Sequence, residues 1–214
     1  MDDAVVEPQV IPLQGDPEPA LVAAVGAVRA GGVIVVPTDT VYGIAANAFD
    51  PQATREIFRI KRRPRSLPLP VLVSRPRQAW ALCSIVPDAA TALASAFWPG
   101  ALTMILPANT ELEWDLGDGG DTLAVRMPHH PELLSLLERT GPLACTSANI
   151  TGEPTGQTIS EIADRLDGVA LYLDGGASTL DQGSTIVDLT GVEPKIIREG
   201  PIGTDAVMAA IAAG

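Results

Sequence analysis

The sequence predicts a single α/β domain, and three observations carry that prediction. Short β-branched or aliphatic runs alternate along the chain with segments of helical periodicity. Hydrophobic residues fill 46% of the 214 positions, enough for a sizeable core. No repeat or low-complexity linker divides the chain, so one α/β unit is the simplest arrangement. Aromatics make up only 4%, which leaves that core to be built mainly from Ala, Val, Leu and Ile.

Taken in order, residues 1–18 are acidic and carry proline, and read as an N-terminal arm or edge strand ahead of a domain over 19–214. A helix opens at Pro19 and closes at Gly31-Gly32, the residue types favoured at those two ends. Val33 to Val36 is a short β-branched strand. A second helix covers 51–61, with Pro51 at its start and Pro64 just past its end. Strands follow at 69–73 and 101–106, with a helix from Pro87 between them. The polar, Gly-rich stretch 107–121 reads as a surface loop, with GDGGD at 117–121 a turn. A strand from Thr122, a helix over 131–140 and a buried strand ending at Ser147 come next. A helix near 158–166, a strand ending at Asp174, two strands flanking the turn at Thr190-Gly191 and a closing helix complete the chain.

The formal net charge of −12 argues against bulk attraction to nucleic acid or an anionic membrane. The distribution says more than the sum. Arg55, Arg59, Lys61, Arg62, Arg63, Arg65, Arg75 and Arg77 lie in one short stretch that contains a single acid, Glu56. Helix-end charges explain one or two of these cations, and an anion site explains the concentration better. The N-terminus lacks the charged-then-apolar layout of a signal peptide, and no apolar run reaches membrane-spanning length. A soluble cytoplasmic protein with no membrane association is expected. Cys83 and Cys145 are too few for a disulfide framework and read as buried thiols in a reducing compartment.

Neither G-x-x-x-x-G-K-[ST] nor a strand-to-helix G-x-G-x-x-G is present, so the two commonest phosphate cradles are excluded. Residues 33–50, VIVVPTDTVYGIAANAFD, place a buried strand ahead of polar groups, as ligand sites at strand ends do in open sheets. An ordinary turn accounts for that spacing equally well. In KRRPRSLPL, residues 61–69, Lys61, Arg63 and Arg65 alternate. On an extended segment they share one face and form a three-cation clamp for a polyphosphate. In CTSANITGEPT, residues 145–155, small hydroxyls and amides suit a nucleotide's hydroxyls and phosphates. Cys145 lies in an apolar strand without an evident activating base, which argues against a nucleophile. His129 and His130, followed by Pro131, read as a turn rather than a metal pair.

PTDTVYG, KRRPRSLPL, WPGALTMIL, LAVRMP, CTSANITG and STIVDL occur in this order between about Gly31 and Gly200. Together they resemble the YrdC/TsaC family of threonylcarbamoyl-AMP synthases, whose signature pairs a Lys-x-Arg (Lys61, Arg63) with a later Ser-x-Asn (Ser147, Asn149). The resemblance implies a twisted mixed sheet flanked by helices, with a concave basic groove. It implies conversion of L-threonine, bicarbonate and ATP to threonylcarbamoyl-AMP and pyrophosphate, for modification of tRNA beside the anticodon. Magnesium arrives with ATP, and downstream tRNA threonylcarbamoyl-transferase proteins accept the product.

Carried over residue by residue, the resemblance assigns the phosphates to Lys61 and Arg63, which are also the implied catalytic residues. Thr122, Ser147, Asn149, Thr155 and Arg198 line the nucleotide side. Thr40, Arg126, Cys145 (through its backbone) and Ser184 hold threonine. No protein metal ligand and no general base are implied. Long-form relatives carry Asn and His where this chain has Leu67 and Leu72, and extend well beyond the position of Gly200. Two other readings share the fold: a carbamoyl-transfer domain like that of hydrogenase-maturation proteins, and a double-stranded RNA-binding module. RNA binding as the primary role is disfavoured by the net charge and the scarcity of stacking aromatics, while RNA contact alongside the enzymatic role stays among the implied partners.

Overall fold

The computed structural model describes residues 9–178 and 180–214. In chain order the elements are β1 (Gln9–Pro12), α1 (Glu18–Arg29), β2 (Ile34–Val36), β3 (Gly43–Asn47), α2 (Pro51–Lys61), β4 (Val71–Leu72), α3 (Pro76–Ala81), α4 (Asp88–Phe97), β5 (Leu102–Pro107), β6 (Thr122–Arg126), α5 (Pro131–Thr140), β7 (Leu143–Ser147), α6 (Ile159–Ala163), β8 (Leu171–Asp174), β9 (Thr185–Asp188), β10 (Lys195–Arg198) and α7 (Thr204–Ala213). Among the described residues these strands form one mixed sheet in the order β1-β8-β2-β3-β7-β4-β6-β5-β9-β10. β1 is an edge strand parallel to β8. Met1 to Pro8 of the expected arm lie outside the described residues.

Period-two alternation divides the strands between two apolar layers. Val33, Val35, Val71, Met104, Val125 and Tyr172 belong to the larger cluster, with Ile57 and Phe58 of α2 and Leu93 of α4. Ile34, Val36, Leu72, Leu143 and Leu171 point the other way, against Leu21 and Val28 of α1 and Leu136 and Leu137 of α5. This second cluster takes no residue from β5, β6 or β9. On that side α1 and α5 cover one half of the sheet, and the other half is left for polar side chains.

Two elements were not expected. β3 is built from Gly43-Ile-Ala-Ala-Asn47, whose small residues have weak strand propensity, yet it pairs with both β2 and β7. A Cβ on Gly43 would lie 2.5 Å from Cys145 Sγ, so the glycine permits this close strand approach. α3 is a six-residue helix, too short to show a period.

The structure also corrects the extended reading of residues 61–65. Lys61 is the last residue of α2, and Arg62 caps it in the left-handed region at φ 50°. Lys61, Arg63 and Arg65 therefore do not share a face. Arg65 turns outward, pairing with Asp115 at 2.5 Å and lying 5.2 Å from the centre of the Phe58 ring. The three-cation clamp does not form.

Candidate functional site

A cavity of about 270 Å³ occupies the half of the sheet that α1 and α5 leave uncovered. Its floor follows from strand register. Leu72 of β4 pairs with Arg126 of β6, and Thr103 of β5 pairs with Ile186 of β9. One step along the β5–β6 ladder from Met104–Val125 sets Thr103 opposite Arg126. All four residues line the cavity.

Arg126 is 7% exposed and held at three points. Its Nε donates to the Gly100 carbonyl at 2.9 Å, one terminal nitrogen to Thr40 Oγ1 at 3.0 Å, and the other to Asp39 Oδ1 at 2.6 Å. Asp39 is itself mostly buried, so the guanidinium enters the protein as an ion pair. Among the described residues each terminal nitrogen keeps one unspent N–H, which is the fork a carboxylate accepts. The Thr38–Thr40 turn is internally braced: Thr38 Oγ1 donates to the Val41 carbonyl at 2.7 Å and accepts from the Thr40 amide at 3.0 Å. The segment after β8 is tied to the same turn. Ser178 Oγ donates to the Thr40 carbonyl at 2.8 Å, and Tyr42 Oη donates to the Gly176 carbonyl at 2.5 Å.

On the opposite wall, Ser184 Oγ lies 2.7 Å from Thr103 Oγ1, and Arg198 donates from Nε and a terminal nitrogen to the Ser184 carbonyl. Arg63 donates to the carbonyls of Leu67 (2.7 Å) and Pro68 (3.1 Å) and also lines the cavity. Burial pushes the Arg63 and Arg198 guanidiniums down from their ordinary values, Arg126 adding to the effect at Arg198; an arginine stays charged nonetheless. Among the described residues three arginines and one carboxylate, Asp181, therefore line the space.

Of the residues the sequence singles out, Thr40, Arg63, Arg126, Cys145, Ser147, Thr155, Ser184 and Arg198 come together around this cavity. Lys61 and Asn149 lie behind it. Lys61 is 1% exposed, and its ammonium donates to the carbonyls of Ser147 (2.5 Å) and Asn149 (2.6 Å) and to Asn149 Oδ1 (3.3 Å). The Asn149 amide donates to the carbonyls of Ile150 and Glu153. Desolvation, with Arg63 as the next contributor, pushes the Lys61 ammonium down to about 7. Thr122 stands apart, in a separate depression of about 220 Å³ beside Pro68 and Trp114, where its hydroxyl donates to the Gly119 carbonyl. Sequence reasoning did not select Asp39, Thr103, Ser178 or Asp181. Asp39 and Thr103 stand inside PTDT and GALT, and what they face is revealed only by the Arg126 contact for Asp39 and by the cross-strand register for Thr103.

Burial pushes the Cys145 thiol up to about 12, which disfavours a thiolate. His130 is the N-cap of α5, with Nδ1 3.1 Å from a Glu132 carboxylate oxygen. Among the described residues no group of three or more His, Cys, Asp or Glu is placed to hold a metal ion, and no helix is long and apolar enough to cross a membrane. A wider depression of about 650 Å³ between the C-terminus of α1 and the N-terminus of α2 carries none of the selected residues.

A family model for the Sua5/YciO/YrdC domain, described as "Telomere recombination", matches residues 26–200. A Mycobacterium tuberculosis relative, named provisionally as a threonylcarbamoyl-AMP synthase, is 45% identical over 196 residues and 90% of each chain. A Pyrococcus abyssi relative named threonylcarbamoyl-AMP synthase is 37% identical over 186 residues, 86% of this chain but 55% of the relative. The solved structure of P. abyssi Sua5 complexed with L-threonine superposes with a TM-score of 0.88 at 35% identity, over 95% of this chain and 60% of that one.

Proposed function

The chain belongs to the Sua5/YciO/YrdC family, and we propose that it is a threonylcarbamoyl-AMP synthase. It joins L-threonine, bicarbonate and ATP into threonylcarbamoyl-AMP and releases pyrophosphate. The observation that carries this reading is the Arg126 fork. It is fixed by Asp39, Thr40 and Gly100, it keeps an unspent N–H on each terminal nitrogen, and it stands in one cavity with Arg63 and Arg198.

In this reading the carboxylate of threonine lies on Arg126 beside Thr40, with Ser184 and the backbone of Cys145 close by. The amine, once neutral, takes up carbon dioxide derived from bicarbonate and becomes a carbamate. A carbamate oxygen then attacks the α-phosphorus of ATP, the bond to the β-phosphate oxygen breaks, and pyrophosphate leaves. Negative charge accumulates on phosphoryl oxygens during that step, and fixed cations aimed there stabilise it. Arg63 and Arg198 are the cavity-lining cations free to do so, in a groove whose basic character comes from them. Lys61 contributes from behind by holding the Ser147–Asn149 turn, and Thr155 and Ser147 face the nucleotide.

Magnesium would be carried by the ATP phosphates and water, neutralising the leaving group. The cavity's lining suits that arrangement, since among the described residues Asp181 is its one carboxylate. The product's mixed anhydride is labile, which favours delivery to a tRNA-modifying transferase in the same compartment, the cytoplasm.

The test is threonine-dependent pyrophosphate release from ATP in the presence of bicarbonate and magnesium. Folded protein that releases none at millimolar threonine would end this reading.

A further inference from the structure

We propose that Thr103 is a second residue reading the hydroxyl of the amino-acid substrate, acting with Ser184 as a paired donor and acceptor. The assignment rests on the proposed function of the cavity. Thr103 and Ser184 are 4% and 5% exposed, and their hydroxyl oxygens lie 2.7 Å apart. In such a pair one O–H is spent on the partner and the other is left over. Among the described residues Ser184 Oγ has only one other contact, a marginal 3.5 Å approach from Arg198. A buried O–H without a partner costs about 1–3 kcal/mol. The leftover proton and the free lone pairs on the same two oxygens match a ligand hydroxyl, which also donates once and accepts. A methyl group uses neither, and a carboxylate uses only the proton.

The position on the floor supports the same occupant. Thr103 stands between Arg126 and Ile186 in the cross-strand row that Leu72 completes. A carboxylate on Arg126 puts the β-carbon of a bound amino acid over this row. The hydroxyl then meets Thr103 and Ser184, and the methyl meets the aliphatic surface of Ile186 or Leu72. Thr103 therefore determines specificity for a β-hydroxy amino acid, and fixes the direction of the Ser184 proton by holding its oxygen.

The experiment compares L-threonine with L-2-aminobutyrate, which keeps the methyl group and lacks the hydroxyl, by calorimetric titration into wild type, Thr103→Val and Thr103→Ser. Wild type should prefer threonine by about tenfold to a hundredfold. Thr103→Val should lose most of that preference by weakening threonine alone, and Thr103→Ser should restore it. Equal weakening of both ligands in Thr103→Val would show a purely structural residue and overturn the assignment. So would wild type that binds the two ligands equally, an outcome that needs no variant to fold. Wild type that binds neither amino acid overturns the functional reading, and this assignment with it.

Discussion

Replacing Lys61 by Met separates the two roles that the Lys-x-Arg pair could play. The substitution keeps an unbranched stem of similar length in a site that is 1% exposed, and removes the ammonium. The ammonium is bonded to the Ser147 carbonyl at 2.5 Å, the Asn149 carbonyl at 2.6 Å and Asn149 Oδ1 at 3.3 Å. Asn149 Oδ1 keeps a donor in Ser147 Oγ, and the Ser147 carbonyl keeps one in the Asn149 amide at 3.0 Å, so the Asn149 carbonyl bears most of the loss. At about 1–3 kcal/mol for a buried acceptor left without a partner, the variant should lose about 1–3 kcal/mol. With a urea m-value of about 2 kcal/mol/M, the unfolding midpoint should fall by roughly 0.5–1.5 M. Pyrophosphate release, measured below the variant's midpoint, should fall as well, because the Ser147–Asn149 turn loses its tie to α2. Arg63→Ala is the contrast. Among the described residues its guanidinium bonds only the Leu67 and Pro68 carbonyls at the cavity edge, so stability should change by less than about 1 kcal/mol while activity falls about a hundredfold or more. A Lys61→Met midpoint within error of wild type would refute the argument, since the ammonium would then not be the pin that its contacts describe.

The same lysine predicts a pH dependence of stability. Its ammonium is pushed from 10.5 to about 7, so between those values the unfolded chain binds more protons than the folded one and stability rises with pH. The difference between wild type and Lys61→Met should therefore shift in favour of wild type from pH 7 to pH 10 in urea midpoints; a flat or opposite trend contradicts it. Arg126→Ala should abolish threonine binding and cost about 2–4 kcal/mol, because it strands the Asp39 carboxylate. Adding Asp39→Asn should recover part of that stability and none of the binding, read by denaturation and calorimetry. Gly43→Ala should destabilise by about 1–3 kcal/mol, since its Cβ would meet Cys145 Sγ at 2.5 Å, and Cys145→Ala in the same chain should relieve the clash; additive losses would show that the contact is not the cause.

Much of this architecture was legible because its signals are local. Pro51, the Asp50 side chain that accepts from the Gln52 and Ala53 amides, and Pro64 bracket α2. The β-branched runs mark β2 and β9. Signals that depend on distant partners were not legible. β3 carries no strand signature of its own and exists because β2 and β7 flank it. The cavity residues were recognisable as motifs, but Thr122 shares a strand with Arg126 and still faces a different depression, because their positions lie at opposite ends of β6.

The Lys-x-Arg pair shows why spacing alone misled. Alternation places residues on one face only if the backbone stays extended, and Arg62 breaks that condition by capping α2 in the left-handed region. The reversal sends Lys61 inward to oxygens 86 and 88 residues away and leaves Arg63 at the cavity edge. A non-glycine residue held at positive φ is costly and persists where its surroundings demand it. Here the demand is visible on both sides, a buried ammonium before the cap and a cavity-lining guanidinium after it. The two cations of one short motif thus divide the work. One holds the Ser147–Asn149 turn, and the other brings its charge to the cavity edge.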